Sequence, residues 1–108
     1  METNPGRVFE ALASMPRRQI LAYLAEVELN TSELAARFSM SAPAISRHLS
    51  ILEQANLVTS ERRGQFVYYK LNADSLVSSL TGYALELCPV GGPLKRESRE
   101  LAKRRKTA

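Results

Sequence analysis

Arg47 and His48 stand side by side in SAPAISRHLSILEQANL, residues 41 to 57. A guanidinium is a fixed fork of donors suited to phosphate or to a guanine edge, whereas an imidazole can act as a base or a metal ligand. His48 is the single histidine and Cys88 the single cysteine. That leaves too few soft ligands for a zinc site within one chain and no disulfide framework. No nucleophile paired with a base, no phosphate-cradling glycine loop and no supported carboxylate pair occurs, so the sequence predicts neither an enzyme nor a bound cofactor or metal. The arginines are the residues left to carry function.

Their distribution matters more than their number. The chain of 108 residues has a net charge of +4. Residues 1–93 hold eight Lys or Arg against nine Asp or Glu, a net of minus one, and residues 94–108 hold seven against two, a net of plus five. The basic character belongs to the C-terminal segment, so nucleic-acid binding by the body must rest on where its few arginines sit. Length and 44% hydrophobic content fit one ordinary domain. No run of apolar residues approaches a membrane span, and METNPGRVFE lacks a signal-peptide pattern, so a cytoplasmic protein without membrane association is expected.

The elements that must position Arg47 follow from periodicity. Val8, Phe9 and Leu12 predict a first helix over residues 5–14, broken by Met15-Pro16. Ile20, Leu24 and Val27, with Leu21, predict a second over residues 17–27. Asn30, three residues before Glu33, is set to cap a short third helix ending near Phe38. After Ser39-Met40-Ser41, a fourth helix is expected from Ala42 to Ala55, because Ser41 can cap it, Pro43 is tolerated in a first turn, and Asn56 can end it. Residues 57–61 and 66–71 read as strands joined at Gly64. From Asp74 as cap, Leu76, Val77, Leu80, Ala84 and Leu87 mark a fifth helix stopping before Pro89. Gly91-Gly92-Pro93 reads as a breaker. Beyond it lies either a frayed helix or a disordered tail. The expected division is a domain over residues 1–90 and a basic tail over residues 91–108.

Two short helices joined by a tight turn and followed by a hairpin form the layout of a winged helix-turn-helix, mostly α with a β-hairpin wing. At about 100° per residue, Ile45, Leu49 and Leu52 share one narrow arc, while Pro43, Arg47, Ser50 and Gln54 point away and Ser46 lies on the flank. Arg47 is thereby placed at the centre of the exposed face near the helix N-terminus, where a recognition helix meets the major groove and the helix dipole favours phosphates. His48 falls at the edge of the buried stripe, as a half-buried packing or hydrogen-bonding residue.

ISRHLSILEQANLV followed by RRGQFVYYKL resembles the ArsR-type winged-helix transcriptional repressors, over about Phe9 to Leu87. The resemblance implies a homodimer formed by the first and last helices, here Val8, Phe9, Leu12, Leu76, Leu80, Tyr83 and Leu87. It implies repression from an inverted-repeat operator in double-stranded DNA, often at the protein's own promoter. Family DNA contacts carry over onto Ser41, Ala42, Pro43, Ser46 and Arg47, with Arg62, Arg63 and Gln65 matching the wing. Relatives often carry glutamine where this chain has Ala42, so one bidentate base contact is missing and a methyl group is offered instead, suited to a thymine methyl. Wing arginines reach an adjacent minor groove or neutralise phosphates.

Glu28 to Leu34, ELNTSEL, aligns with the family's ELCVCDL metal box, but Asn30 and Ser32 replace its two cysteines, and neutral oxygen donors do not substitute for thiolates toward soft metals. The fifth helix lacks the His and Asp pattern of the interfacial zinc site. A repressor without metal sensing is the resulting expectation, its inducer unknown. The alternatives are a regulator responding to thiol oxidation at Cys88 or to a small molecule at the dimer interface, and a winged-helix interaction module that does not bind DNA. Cys88 fits a small apolar residue closing a helix better than a redox centre, because no second cysteine can resolve it. Tyr68 and Tyr69 read as strand residues packed under the wing. The basic tail reads equally as a solvated charge run or as an arm adding sequence-independent phosphate contacts.

Overall fold

The computed structural model describes residues 5–86 and 88–107, with side chains for residues 6–84 and 92–106. Its elements are α1 (Pro5–Leu12), α2 (Met15–Tyr23), β1 (Leu29–Asn30), α3 (Thr31–Arg37), α4 (Ala42–Gln54), β2 (Val58–Arg63), β3 (Phe66–Leu71), α5 (Ala73–Glu86) and α6 (Cys88–Thr107). The sheet is antiparallel in the order β1-β3-β2. The expected mostly helical fold with a hairpin wing is present, and β1 and α6 are added to it.

Each boundary has a local cause. Met15-Pro16 opens α2 rather than separating it from α1: Ser14 caps the helix, accepting from the Arg17 N–H, and Pro16 sits in the first turn, where no intrahelical donor is needed. Ala13-Ser14 is therefore the true break. At its other end α2 stops at Tyr23, short of Val27, which is 53% exposed. The chain must turn there to bring Leu29 opposite Tyr69 in the sheet. Asn30 then does two jobs, pairing with Tyr68 and forming a complete capping box with Glu33 at 2.9 and 3.0 Å.

At the end of α4, Asn56 adopts φ 63°, and the Asn56 and Leu57 N–H groups donate to Glu53 O and Leu52 O, each at 2.9 Å. This is a Schellman closure, with Leu52 and Leu57 both buried across it. Asn72 fastens the next junction. Its N–H donates to Leu57 O at 2.8 Å, its Nδ2 to Asn56 O at 3.1 Å, and its Oδ1 accepts from the Ser75 N–H at 3.4 Å. Asn72, not Asp74, is thus the cap of α5.

The core is built from α1 to α4 and the start of β2, with Ile20, Leu34, Ile45, Leu49, Leu52 and Leu57 fully buried in it. Val8 is 1% exposed within this core. It cannot serve the dimer surface, because its own subunit already encloses it. Arg17 ties two sides of the core together: its Nε donates to Ala11 O at 2.8 Å, its Nη2 to Glu10 O at 3.0 Å, and its Nη1 meets His48 Nδ1 at 3.3 Å. The last carbonyls of α1 are satisfied by a cation, as a helix C-terminus favours, and the same cation reaches the middle of α4. Since arginine only donates, Nδ1 is the acceptor and the proton of the neutral ring lies on Nε2.

The largest difference from expectation lies at the C-terminus. α5 ends at Glu86, and α6 runs through Gly91-Gly92-Pro93 to Thr107. Pro89 falls in the first turn of α6, while Pro93 lies inside the helix, where it removes the bond to the carbonyl of residue 89 and crowds that carbonyl. Residue 91, the expected start of a tail, lies inside this helix. Among the described residues no helix is long and apolar enough to cross a membrane.

Asn56→Gly should leave stability about unchanged, while Asn56→Val, β-branched in a left-handed position, should cost ~1–2 kcal/mol in urea unfolding. Burial, then Arg17, then Arg47 lower the His48 pKa from its ordinary 6.5. The unfolded chain therefore takes up this proton first, so the contribution is complete above about pH 6.5 and is lost as the pH falls toward the lowered folded value. Between about pH 7.5 and 5.5 the wild-type Tm should fall further than that of His48→Gln, and equal losses would remove His48 as the cause.

Candidate nucleic-acid interface

The front of α4 is set by its cap and its buried stripe. Ser41, extended at φ −71° and ψ 158°, accepts the Ala44 N–H on Oγ at 3.3 Å. Its hydroxyl proton stays available to an outside acceptor. Ile45, Leu49 and Leu52 are fully buried, which turns Ala42, Pro43, Ser46 and Arg47 to solvent together at the N-terminal end of the helix. The Arg47 guanidinium makes no hydrogen bond or ion pair among the described residues.

α3 and α2 hold this helix in place. Leu34 is fully buried under α3, and at its end Phe38 meets Tyr23 edge to face, with ring centroids 5.3 Å apart. Phe38 is already extended, at φ −119° and ψ 152°, so the chain leaves α3 directly into the turn before Ser41. His48 is half-buried behind Arg47 and held by Arg17. Arg17 is a positioning residue that reads in the sequence only as one more cation. Nothing in the local pattern signals its reach to a residue 31 positions away.

The hairpin turns in two residues, Gly64-Gln65, between Arg63 and its partner Phe66. Gly64 takes φ 63°, the positive value that a tight hairpin loop requires at this position. The two wing arginines fall on opposite faces because strand side chains alternate. Arg62 shares its face with Ser60, whose hydroxyl donates to Glu53 Oε2 of α4 at 2.6 Å, and with Tyr69, half-buried against the core. Its Nε donates to Gly64 O at 3.2 Å, leaving both Nη groups without a partner among the described residues.

Arg63 lies on the other face, where its Nη2 donates to Glu28 and its Nε to Glu61 at 3.3 Å, with the guanidinium 5.1 Å from the Tyr68 ring centre. Hydrogen bonding and charge from Arg63 lower the Glu61 pKa, and Glu61 with Glu28 raises that of Arg63. Both groups stay ionised at neutral pH. Glu28 and Glu61 therefore compete with any phosphate for Arg63, a restraint the RRGQ motif does not reveal. Arg62 and Gln65 remain open to solvent.

The expected dimer residues separate in the same way. Phe9 and Tyr83, each 40% exposed, meet edge to face at 4.9 Å and join α1 to α5. Val77 and Leu80 are exposed on α5, whereas Leu12 and Leu76 are half-buried against the core. Leu87 and the Cys88 side chain lie outside the described residues. Asn30, at one cysteine position of the metal box, has its amide oxygen engaged in the capping box.

Comparison with known proteins agrees with this fold. The family model described as "Bacterial regulatory protein, arsR family" matches residues 16–60, from α2 into β2. The transcriptional repressor SdpR of Bacillus subtilis (strain 168) is 41% identical over 75 residues, 69% of this chain and 83% of its own length. The transcriptional activator HlyU of Vibrio cholerae is 36% identical over 68% of this chain and 70% of its own length. A solved structure of an ArsR-like transcriptional regulator from Rhodococcus sp. RHA1 superposes with a TM-score of 0.70 at 28% identity, covering 95% of this chain and 91% of the other. With a helix-turn-helix that presents Arg47, a wing that presents Arg62, and relatives matched over most of their length, the chain belongs to the ArsR family of bacterial regulators and is a DNA-binding transcriptional regulator.

Proposed function

We propose that the chain represses transcription as a homodimer, seating α4 of each subunit in the major groove of an inverted-repeat operator. The observation that carries this reading is Arg47, exposed and unpartnered among the described residues at the centre of the solvent face of a capped, tightly docked helix. From there a guanidinium can make a bidentate contact to guanine. Ala42 offers a methyl group, and Ser41 and Ser46 offer hydroxyls, to neighbouring base edges or phosphates. Arg62 and Gln65 contact the flanking duplex from the wing. Repression follows from occupying promoter DNA, and the name of SdpR as a repressor supports that sign. The protein acts where the bacterial chromosome lies, and no metal enters the reading.

Dimerisation is supported by the exposed apolar group of Phe9, Val77, Leu80 and Tyr83 on α1 and α5. Two-fold pairing of these helices would set two copies of α4 on successive major-groove faces.

Arg47→Ala should weaken binding to genomic fragments enriched by the protein by ~1–3 kcal/mol and relax sequence preference. Arg62→Ala should weaken binding evenly across sequences and flatten its salt dependence, while Arg63→Ala, already engaged by two carboxylates, should change the slope less. Competition titrations at several salt concentrations measure all three, and unchanged affinity in Arg47→Ala would refute the recognition-helix assignment. Leu80→Asp should shift the protein to monomer in light scattering. A promoter fusion that rises when the gene is deleted is the expected sign, and one that falls would make the protein an activator.

A further inference from the structure

The body of the chain is close to neutral, and α6 carries the excess positive charge. At about 100° per residue, Lys95, Arg96, Arg99, Lys103 and Lys106 all fall within an arc of about 100°. Glu97 and Glu100 lie outside that arc. Leu94 and Leu101, 63% and 47% exposed, lie on the opposite side. All side chains from Pro93 to Lys106 are exposed or half-exposed, so this part of the helix has no core burial behind it.

Such a face opposes its own helix. Lys95, Arg99 and Lys103 follow one another at intervals of four, and Arg96–Arg99 and Lys103–Lys106 at intervals of three, spacings at which like charges repel. The pair between Lys103 and Glu100 at 3.7 Å is a partial offset at an exposed site. Glycines at 91 and 92 lower helix propensity further. A polyanion laid along the face removes this repulsion, and the stripe from position 95 to 106 is about 17 Å long, enough to meet several phosphates of a duplex strand. A membrane surface fits less well, because α6 contains no aromatic residue and its apolar side beyond Pro93 amounts to two leucines.

We propose that the basic face of α6 is a second, sequence-independent DNA-binding surface that grips the phosphates of duplex outside the base pairs read by α4. This rests on the reading of α4 and the wing as duplex-binding elements. Its consequence is division of labour: α4 selects the site, and α6 supplies salt-dependent affinity and holds the protein on DNA during search.

The test uses the full chain and a duplex of arbitrary sequence, roughly 40 base pairs long, titrated by fluorescence anisotropy across a salt series. Arg96→Gln/Arg99→Gln should lower the slope of log affinity against log salt by about 2 per protomer, near 0.9 for each phosphate that is no longer neutralised. Arg104→Gln/Arg105→Gln makes the same change in net charge off the stripe and should lower it by less than half as much. Helical circular dichroism of the intact chain should increase on adding duplex. Equal slope changes in the two double variants would reduce the effect to net charge and overturn the proposal, as would no change in either. If the intact chain binds no duplex at all, the reading of α4 falls as well; if it binds with a slope indifferent to Arg96→Gln/Arg99→Gln, only the role of α6 falls. Stripe-dependent binding to phosphatidylglycerol vesicles with an unchanged duplex slope would assign the face to a membrane and overturn the proposal.

Discussion

Burial of Ile45, Leu49 and Leu52 along one line of α4 fixes the rotation of that helix, and the outward placement of Ala42, Pro43, Ser46 and Arg47 inherits from it. Each such side chain contributes roughly 1.5–3 kcal/mol when removed from water. A rotation of one residue would expose part of that stripe and drive polar side chains into the core. Arg47 faces outward because the opposite side of its helix has nowhere else to go. The Ser41 cap and the Asn56 closure then limit the helix at both ends and satisfy backbone groups that would otherwise lack partners there.

Charge is sorted by the same architecture. Arg17 is turned inward to satisfy the α1 carbonyls and His48, Arg63 is held by Glu28 and Glu61, and Arg47 and Arg62 are left to solvent. Four arginines of one type thus take different roles according to which acceptors the fold brings near them. A body with almost no net charge leaves two guanidinium groups open to solvent and builds little overall field. Arg17 also links the α1 end of the molecule, which carries Phe9 against Tyr83, to α4.

The C-terminal half is organised differently. Asn72 anchors the start of α5 to the α4–β2 junction, after which α5 turns apolar side chains outward and α6 continues with an exposed basic face. The exposed side chains of these helices are apolar on α5 and mostly basic on α6. The core packs around α4 while α5 and α6 turn most of their side chains outward, so the buried residues come from the first half of the chain and the beginning of the wing.

Local chemistry was enough for the sequence to determine α4 and its solvent face, the Asn30 and Ser41 caps, the Asn56 ending and the hairpin at Gly64, because periodicity, capping and turn preference act within a few residues. It was not enough where the deciding contact is distant. β1 is two residues long and exists only because β3 comes to meet it. Val8 and Phe9 are both apolar, and only packing decides that one enters the core while the other meets Tyr83. The glycines and proline at 91–93 read as a breaker, yet the chain remains helical through them. Arg62 and Arg63 are identical neighbours in sequence, and only strand alternation, with Glu28 folded across from 35 residues away, decides that one stays open and the other is bound. The sequence determined which residues could face DNA, and the tertiary structure decided which of them are free to do so, since a hydrogen bond between distant residues has no signature in either residue's own neighbourhood.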